Sequence, residues 1–191
     1  MENLERVLKE HIELNTDDWK RLKDGFETQR LERKTILVSE NQTARHLYFI
    51  EHGLFRSYHI EDGEEINTYF ASDSQFITCY ASFISQSPSF EYLEVMEDSC
   101  ALRISYEALY GLYQQSSQLE KIGRILAEKN YLCVIDRIYK MQTKSARERY
   151  LDFLISHEKR IVQQVPLHHI ASYLGIAPQS LSRIRKQVPF S

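Results

Sequence analysis

Residues 28–104 form a succession of short apolar segments separated by turns, and this pattern restricts the fold more than any other feature of the chain. The segments are rich in Ile, Tyr, Phe and Val, the residue types that favour β-strands. Strands this short, separated by turns, are typical of an antiparallel barrel or roll. The turn at Asp62-Gly63 predicts a hairpin between two of them. The predicted strands are 35–38, 46–51, 54–60, 66–70, 92–96 and 101–104.

Helical patterns flank the strands on both sides. Thr16, followed by the acidic pair Asp17 and Asp18, is typical of the start of a helix. Ser105 is placed as the N-cap of a short helix that runs through Tyr113. The inward face of the first helix is assigned to Trp19, Leu22 and Phe26.

A long helix is predicted over residues 117–139, and it has two apolar stripes. Each stripe needs a partner that removes it from water. One stripe can pack on the roll, and the seven-residue spacing of the other suits the matching helix of a second subunit. Burial of the whole helix within its own domain is the alternative. The first stripe contains Leu119, Ile122, Leu126 and Cys133, and the second, assigned to dimerisation, contains Ile125, Leu132 and Tyr139.

The C-terminal part of the chain predicts short helices only. After a polar break at 141–145, one helix is predicted over 146–156, and two more follow with the spacing of a helix-turn-helix. Between those two, Gly175 can adopt a left-handed turn without steric cost, and Pro178 suits the first turn of the last helix. A helical hairpin with a purely structural role is the alternative. The small core of the pair is assigned to Ile170, Ala171, Leu174, Ile176, Leu181 and Ile184.

The outer face of the last helix has side chains of the kinds that contact DNA. Arginine pairs with guanine, glutamine with adenine and serine with either, while lysine neutralises phosphate. The candidate DNA-binding residues are Gln179, Ser180, Ser182, Arg183 and Lys186.

The charge of the chain is unevenly distributed. The net charge is −3, but the first 136 residues contain 14 basic and 24 acidic side chains, a balance of −10, whereas the last 55 contain 10 and 3, a balance of +7. No Asp or Glu follows Glu158. This asymmetry favours a C-terminal unit that faces phosphate.

The composition argues against a membrane or disulfide-stabilised protein. No apolar run approaches the roughly 18 residues that a membrane span needs, so we expect a cytoplasmic protein with no membrane partner. Cys79, Cys100 and Cys133 are too far apart in the sequence for a CxxC pair or a disulfide framework. We interpret all three as small buried side chains, which also argues against Cys79 as a redox sensor.

An enzymatic role is also poorly supported. A roll of this kind is similar to the metal-binding barrels of the cupin type, but His46, His52 and His59 lie on separate strands without an accompanying carboxylate at a suitable spacing. We expect no catalytic residue, no metal site and no cofactor. His168 and His169 begin the helix-turn-helix, where one of them is expected to face outward.

At this point the chain resembles the Crp-Fnr family of bacterial transcription regulators over nearly its whole length. The resemblance rests on the roll segment HLYFIEHG at 46–53, on residues 104–106 and on the helix-turn-helix at 170–184, and the order of elements agrees. It implies an α+β fold in which an antiparallel β-roll, of the double-stranded β-helix or jelly-roll type with flanking helices, precedes a long dimerisation helix. A C-terminal all-α helix-turn-helix module completes it, and Gln179 and Arg183 fall on positions that contact bases.

The resemblance divides the chain into three parts. Residues 1–116 correspond to a cyclic nucleotide-binding-like sensor domain, residues 117–140 to the dimerisation helix and residues 141–191 to the DNA-binding domain.

The cyclic nucleotide cassette departs from the family pattern. Members that bind cyclic AMP hold its phosphate and ribose with a Gly-Glu pair and, about ten residues later, with an Arg followed by a small polar residue. Neither charged anchor is present here, and nearby acidic side chains disfavour a buried anion. We therefore expect no response to cyclic AMP, and either another small-molecule effector or none. The iron–sulfur branch is excluded because its cysteine ligands are absent. The cassette positions, taken as a degenerate effector pocket, are Thr78, Cys79, Ser89 and Phe90.

The end of the chain departs as well. Only residues 187–191 follow the last helix, too few for the two-stranded wing that is usual in the family, so we expect little or no wing. The phosphate contacts of a wing are assigned instead to Arg185 and Lys186, and to Arg147 and Arg149 on the helix at 146–156.

These expectations converge on a homodimeric, sequence-specific transcription regulator that binds an inverted repeat in double-stranded DNA. The alternative is a sensor or protein-interaction module that has the same roll but does not bind DNA specifically.

Overall fold

The computed structural model describes residues 1–188 of the chain, and β-strands form the centre of this part. The strands are β1 (Glu27–Leu31), β2 (Ile36–Val38), β3 (His46–His52), β4 (Leu54–Glu61), β5 (Glu64–Ser72), β6 (Phe76–Ile77), β7 (Tyr92–Val95) and β8 (Ser99–Ser105). They form two four-stranded antiparallel sheets, with the strand orders β1-β8-β3-β6 and β2-β7-β4-β5. The predicted fold class, an antiparallel roll with flanking helices, is confirmed.

Helices precede, interrupt and follow the sheets. They are α1 (Glu2–Lys9), α2 (Thr16–Gly25), α3 (Tyr80–Ser85), α4 (Tyr106–Gln115), α5 (Ser117–Thr143), α6 (Ala146–Ser156), α7 (Lys159–Gln164), α8 (Leu167–Leu174) and α9 (Pro178–Gln187). No helix within residues 1–188 is long and apolar enough to cross a membrane.

The core of the roll is a set of large apolar side chains that are withdrawn from water. Phe49, Phe55, Leu93 and Leu102 are essentially unexposed, and burying an apolar side chain of this size is favourable by about 1.5–3 kcal/mol. Each of the four comes from a different strand, so the apolar segments of the sequence meet in one core. The strand pattern alone predicts this outcome.

Each predicted strand is present, with ends that differ by a few residues. The hairpin turn is also where it is predicted, because Asp62 and Gly63 have φ of +51° and +82° and connect the paired residues Glu61 and Glu64. Strands β1 and β6 are additions to the prediction. In β1 only Leu31 is buried, and β6 has two residues, so neither has a period that sequence patterns can detect.

The helix ends agree with the sequence signals at one cap and differ at another. Ser105 caps α4 as predicted, since its Oγ accepts a hydrogen bond from the N–H of Ala108 at 3.1 Å. The cap of α2 is Asn15 and not Thr16, because Asn15 Oδ1 accepts from the N–H of Asp18 at 2.8 Å. An Asx side chain is the stronger cap, so Asn15 takes the cap position and Thr16 becomes the first residue of the helix.

The three cysteines differ in burial, and the end of the chain lies partly outside the described residues. Cys79 is buried and Cys100 is half-buried, but Cys133 is exposed on α5, so the prediction of three buried thiols is wrong there. Cys133 lies past the segment of α5 whose apolar side chains join the core of the roll, which ends at Leu126, although Arg137 further along the helix still contacts β5. The expectation of little or no wing concerns residues 187–191, of which 189–191 are outside the described residues.

Helices α6 to α9 form a compact unit with its own apolar core, which we call the C-terminal helical unit. Tyr150, Phe153, Ile161 and Leu181 are buried at its centre. The same cluster includes side chains of β4 and β5, namely Leu54 and Phe70. The C-terminal helical unit therefore packs directly on the outer face of the roll and is not connected to it through α5 alone.

Candidate DNA-binding helix and roll cavity

Helices α8 and α9 meet at a tight glycine turn. Gly175 has φ +61° and ψ 42°, and the N–H of the next residue, Ile176, donates to the carbonyl of Ala171 at 2.9 Å. This is the left-handed helix end that glycine adopts without strain. Leu181 is fully buried under α8, and Pro178 opens α9. The two helices and their turn therefore lie where the spacing predicts them.

The outer face of α9 is directed to solvent. Gln179, Ser180, Arg183 and Lys186 are exposed and Ser182 is half-buried. Within residues 1–188 these five side chains make no hydrogen bond or ion pair with one another or with the rest of the chain, so their polar groups are available to a partner. All five predicted DNA-binding residues share this one helix face or its edge.

The two basic side chains of α6 that are assigned to phosphate contacts have different surroundings. Arg147 is exposed. The guanidinium of Arg149 donates from Nη1 to the carbonyl of Lys144 at 2.8 Å and from Nη2 to the carbonyl of Gly175 at 3.2 Å. Arg149 therefore ties the end of α5 to the α8–α9 turn, and its phosphate contact stays a prediction.

The adjacent histidines of α8 face different surroundings. His168 is exposed, as expected for one of the pair, whereas His169 is half-buried against the roll. The Nη1 of Arg56 on β4 donates to Nδ1 of His169 at 3.0 Å. Burial, followed by the nearby charge of Arg56, lowers the pKa of His169 to about 4, so this imidazole is neutral at physiological pH.

Buried polar contacts hold the C-terminal helical unit on the roll. Asn67 on β5 is fully buried, and both its N–H and its side-chain amide donate to Oγ of Ser172 on α8, at 2.8 and 3.0 Å. On the other side of this contact, Arg160 on α7 forms ion pairs with Asp73 and Glu97, which belong to turns of the roll. Sequence patterns contain no signal for these pairs, because the partners are 63 to 105 residues apart.

A cavity of about 550 Å³ lies between the roll and the helices α1, α3 and α5. Its volume is within the usual range of small-molecule sites, roughly 300–1,000 Å³. Most of its wall is apolar, and a smaller number of polar residues from several elements completes it. The apolar wall includes Leu47, Phe76, Ile77, Ile122, Ile125, Leu126 and Val134, and the ionisable wall includes His11, Glu91, Lys129 and Arg137.

Two of the four predicted effector positions line this cavity. Thr78 and Phe90 are in its wall, and Phe90 is 60% exposed. Cys79 and Ser89 are buried and are bonded within the chain: both donate to the carbonyl of Glu91, Ser89 at 2.9 Å and Cys79 at 3.8 Å. Burial raises the pKa of Cys79 to about 12, which keeps its thiol protonated and unreactive.

An arginine that sequence reasoning missed reaches the cavity from α5. Arg137 donates from Nη1 to the carbonyl of Thr68 at 2.9 Å, and from Nη2 to the carbonyls of Asn67 at 3.1 Å and Tyr173 at 3.0 Å. The cassette positions supply no arginine that could meet an anion, but α5 supplies Arg137. The expectation that nothing in this cavity balances an anion is therefore wrong. The sequence contains one signal for this role. Arg137 lies seven residues after Asn130 and eleven after Leu126, a spacing that puts all three on the face of α5 that is directed to the roll.

The three predicted dimerisation residues are not equivalent. Leu132 and Tyr139 are exposed, with 64% and 59% of their surface accessible, whereas Ile125 is half-buried in the cavity wall. Other apolar side chains of α5 accompany the exposed pair, namely Tyr131, Ile135 and Ile138.

Metal ligation finds no support in the described part of the chain. Residues 1–188 contain no group of three or more His, Cys, Asp or Glu side chains arranged to hold a metal ion. His46, His52 and His59 make separate contacts with their own surroundings; His52, for example, contacts Asp73 and Arg160.

The chain is similar to known proteins in its sequence and in its fold. Residues 28–116 match the cyclic nucleotide-binding domain family. A structure from Eubacterium rectale, described as a transcriptional regulator of the Crp/Fnr family, is 25% identical, with a TM-score of 0.70 over 91% of this chain and 83% of that one. No curated protein sequence shows significant similarity.

Two further solved structures share the fold at lower identity. The c-di-GMP responsive global regulator CLP of Xanthomonas campestris is 18% identical, with a TM-score of 0.68 over 91% of both chains. FixK2 of Bradyrhizobium japonicum is also 18% identical, with a TM-score of 0.75 over 85% of this chain and 83% of that one.

Proposed function

We propose that the chain is a transcription regulator of the Crp-Fnr type, a homodimer that binds operator DNA through α9 and does not respond to cyclic AMP. In this proposal residues 1–116 are the sensor domain, 117–140 the dimerisation helix and 141–191 the DNA-binding domain. The target is an inverted repeat in double-stranded DNA. The observation on which the proposal depends most is the set of polar side chains on the exposed face of α9 that have no partner within residues 1–188.

The chemistry of α9 supports base and phosphate contacts. Arg183 can pair with guanine and Gln179 with adenine, Ser180 and Ser182 can donate or accept, and Lys186 suits a phosphate. The net charge of +7 over residues 137–191 attracts the DNA backbone and raises the rate of encounter. Among these groups, Arg183 is the side chain with the geometry for bidentate recognition of a base.

The exposed face of α5 supports a homodimer. Five large apolar side chains on this helix, at positions 131, 132, 135, 138 and 139, are each at least 45% exposed. Their spacing of three and four residues puts them on one side of the helix. An apolar stripe of this kind is rarely left in water, and a second copy of the same helix covers it. Two paired helices would separate the two copies of α9 by about one DNA turn, roughly 34 Å.

The contacts at the cassette positions support an effector other than cyclic AMP. Cys79 and Ser89 are engaged with the carbonyl of Glu91, and Thr78 donates to the carbonyl of His46 at 2.9 Å. None of these side chains has a charge with which to neutralise a cyclic phosphate. In addition, Glu91 lines the cavity and disfavours an anion in its vicinity.

The link between cavity and C-terminal helical unit supports control by a ligand. Thr68 on β5 faces the cavity, where its Oγ1 donates to Glu91 at 2.5 Å, while the preceding residue Asn67 bonds Ser172 on α8. The pairing of β4 with β5 shifts register at this point and leaves Thr68 as an extra residue beside Asn67, so the two neighbours contact different parts of the molecule. A ligand that binds one arrangement of this strand more tightly than another would therefore shift the position of α8 and α9.

DNA binding is tested by following the affinity of the full chain for genomic fragments at two salt concentrations. We expect sequence preference and a steep decrease of affinity with salt, as for a protein that neutralises several phosphates. Exchange of Arg30, an exposed arginine on β1, for Ala serves as the control and should leave the affinity unchanged. Absence of binding at micromolar concentrations in low salt would contradict the proposal and favour a sensor or interaction module without specific DNA binding.

A further inference from the structure

We propose that the roll cavity binds an amphipathic organic acid whose carboxylate is held by Arg137 and whose apolar part lies against α5 and the roll. The inference names the ligand class for the effector site in the proposed function, and it rests on that function only for its regulatory consequence.

The charge of Arg137 is not balanced by a carboxylate within residues 1–188. Its guanidinium is half-buried, donates to the main-chain carbonyls of Asn67, Thr68 and Tyr173, and lies over the ring of Tyr173 at 4.5 Å, so its partners within residues 1–188 are all uncharged. It makes no ion pair with any carboxylate of residues 1–188, and its Nε is buried without a hydrogen-bond partner there. Charged groups withdrawn from water are normally paired with an opposite charge. A ligand carboxylate is the group that would supply this charge, because it matches the planar guanidinium.

The charged side chains of the cavity wall lie on two sides of it. Lys129 and Arg137, both on α5, are cationic, and Glu91 is the acidic side chain of the wall. Glu91 is held by the hydroxyl of Thr68 on β5. This arrangement accepts one negative charge near α5 and disfavours a second one near Glu91, so it selects a monoacid over a ligand with two anionic groups.

The remaining wall of the cavity is mostly apolar. Ile122, Leu126 and Val134 continue along the same side of α5, and Leu47 and Ile77 face them from the roll. An alkyl or aryl group that enters this space leaves water, which tightens binding by roughly fourfold for each buried CH₂. A cyclic nucleotide has polar sugar and base edges that these side chains cannot satisfy.

Arg137 also connects ligand binding to the C-terminal helical unit. The Nη2 that would meet a carboxylate is the atom that donates to the carbonyl of Tyr173 in α8. A charged acceptor competes effectively with a neutral carbonyl for the same donor. An acid in the cavity therefore weakens the bond between α5 and α8 and changes the position of α9 relative to the dimerisation helix.

The test uses the full chain and decanoate as the probe, with decanol, decylamine and cyclic AMP for comparison, by calorimetric titration in the absence of DNA. We expect one decanoate per chain, bound at least tenfold more tightly than decanol or decylamine. Arg137→Gln should weaken decanoate at least tenfold and leave decanol unchanged, and Arg137→Lys should bind decanoate with an affinity between those of the wild type and Arg137→Gln, because it keeps the charge but lacks the planar guanidinium. Arg124→Gln, on the same helix but outside the cavity, should have no effect.

A series of acids in the wild-type chain keeps the inference testable even where Arg137→Gln fails to fold. Affinity should increase from butyrate to decanoate, because each added CH₂ enters an apolar wall. Equal affinity across the series, equal binding of decanoate and decanol, or tighter binding of cyclic AMP would each overturn the inference. Since no DNA is present, these outcomes are independent of whether the chain binds an operator.

Discussion

The hydroxyl of Ser172 on α8 accepts two hydrogen bonds from Asn67 on β5, one from the main-chain N–H and one from the side-chain amide. Asn67 is completely buried, so these bonds are made where water does not compete. The next residue of the strand, Thr68, lines the cavity. One step along β5 therefore separates the wall of the cavity from the contact that positions the helices of the proposed DNA-binding domain.

Replacement of Asn67 by Ala should loosen this contact. The change removes the amide that donates to the half-buried hydroxyl of Ser172 and whose oxygen accepts from Nη1 of Arg56 at 3.3 Å, and we expect a loss of about 1–3 kcal/mol in the free energy of unfolding. Urea denaturation measures it, with Gln114→Ala, an exposed change on α4, as the control. A loss as small as that of the control would mean that the side-chain contact between Asn67 and Ser172 contributes nothing to the docking of α8.

Replacement of Arg183 by Ala should relax operator preference. Loss of a bidentate contact with guanine is expected to reduce discrimination by about 1–3 kcal/mol, while the dimer and the stability stay unchanged because the side chain is exposed and unpaired within residues 1–188. Competition between operator and mutated operator measures the preference. An unchanged preference would remove Arg183 from the residues that contact bases.

Replacement of Leu132 by Asp should prevent dimer formation. A carboxylate in the middle of an apolar helix pair would have to be buried without a partner, at a cost that exceeds the gain from neighbouring contacts. Sedimentation of the wild type as a dimer and of the variant as a folded monomer is expected. Gln118→Asp, at an exposed position near the start of α5, is the control. A wild type that is monomeric at micromolar concentration would contradict the proposed dimer.

Replacement of Gly175 by Ala should destabilise the α8–α9 turn. The residue has φ +61°, where a Cβ costs roughly 1–2 kcal/mol, and the new methyl would also lie 3.1 Å from Cε of Met141. Gly111 offers a matched control on α4, because a Cβ there meets no atom within 4 Å. Gly111→Ala should stabilise by up to about 1 kcal/mol. The two thermal midpoints should therefore shift in opposite directions.

Protonation of His169 at low pH should destabilise the docking of α8 on the roll. Burial and the charge of Arg56 lower its pKa to about 4, against an ordinary value of 6.5. In that interval the unfolded chain binds a proton that the folded chain does not, so stability is fully present above pH 6.5 and is lost as the pH falls towards 4. Urea midpoints between pH 7 and 5 should fall less steeply in His169→Gln than in the wild type. His168→Gln, the exposed neighbour, should retain the slope of the wild type.

Local sequence signals predicted the elements that depend on neighbours in the chain. The succession of short apolar segments and turns indicated the strands of the roll, Asp62-Gly63 indicated a hairpin between two of them, and Ser105 indicated the start of α4. Such features depend on residues within a few positions of one another, so their physical cause is contained in a short stretch of sequence. The same holds for Gly175, whose turn needs a residue that tolerates positive φ.

The roles of side chains whose partners are distant in the sequence could not be predicted from local signals. The roles of Arg137, Asn67 and Arg149 arise from contacts with segments that are 26 to 105 residues away. Cys133 and Ile125 were assigned to surfaces from helical periodicity alone, although the length of α5 that the roll covers determines which side chains face water.

The sequence alone therefore determined the order of the elements, the glycine turn between α8 and α9, and the residue types on the outer face of α9. Only the tertiary structure brought Arg137 to the cavity and seated α8 on β5. The physical reason is that hydrogen bonding and burial depend on distance in space, and a charged side chain acquires its role from the groups that folding places around it.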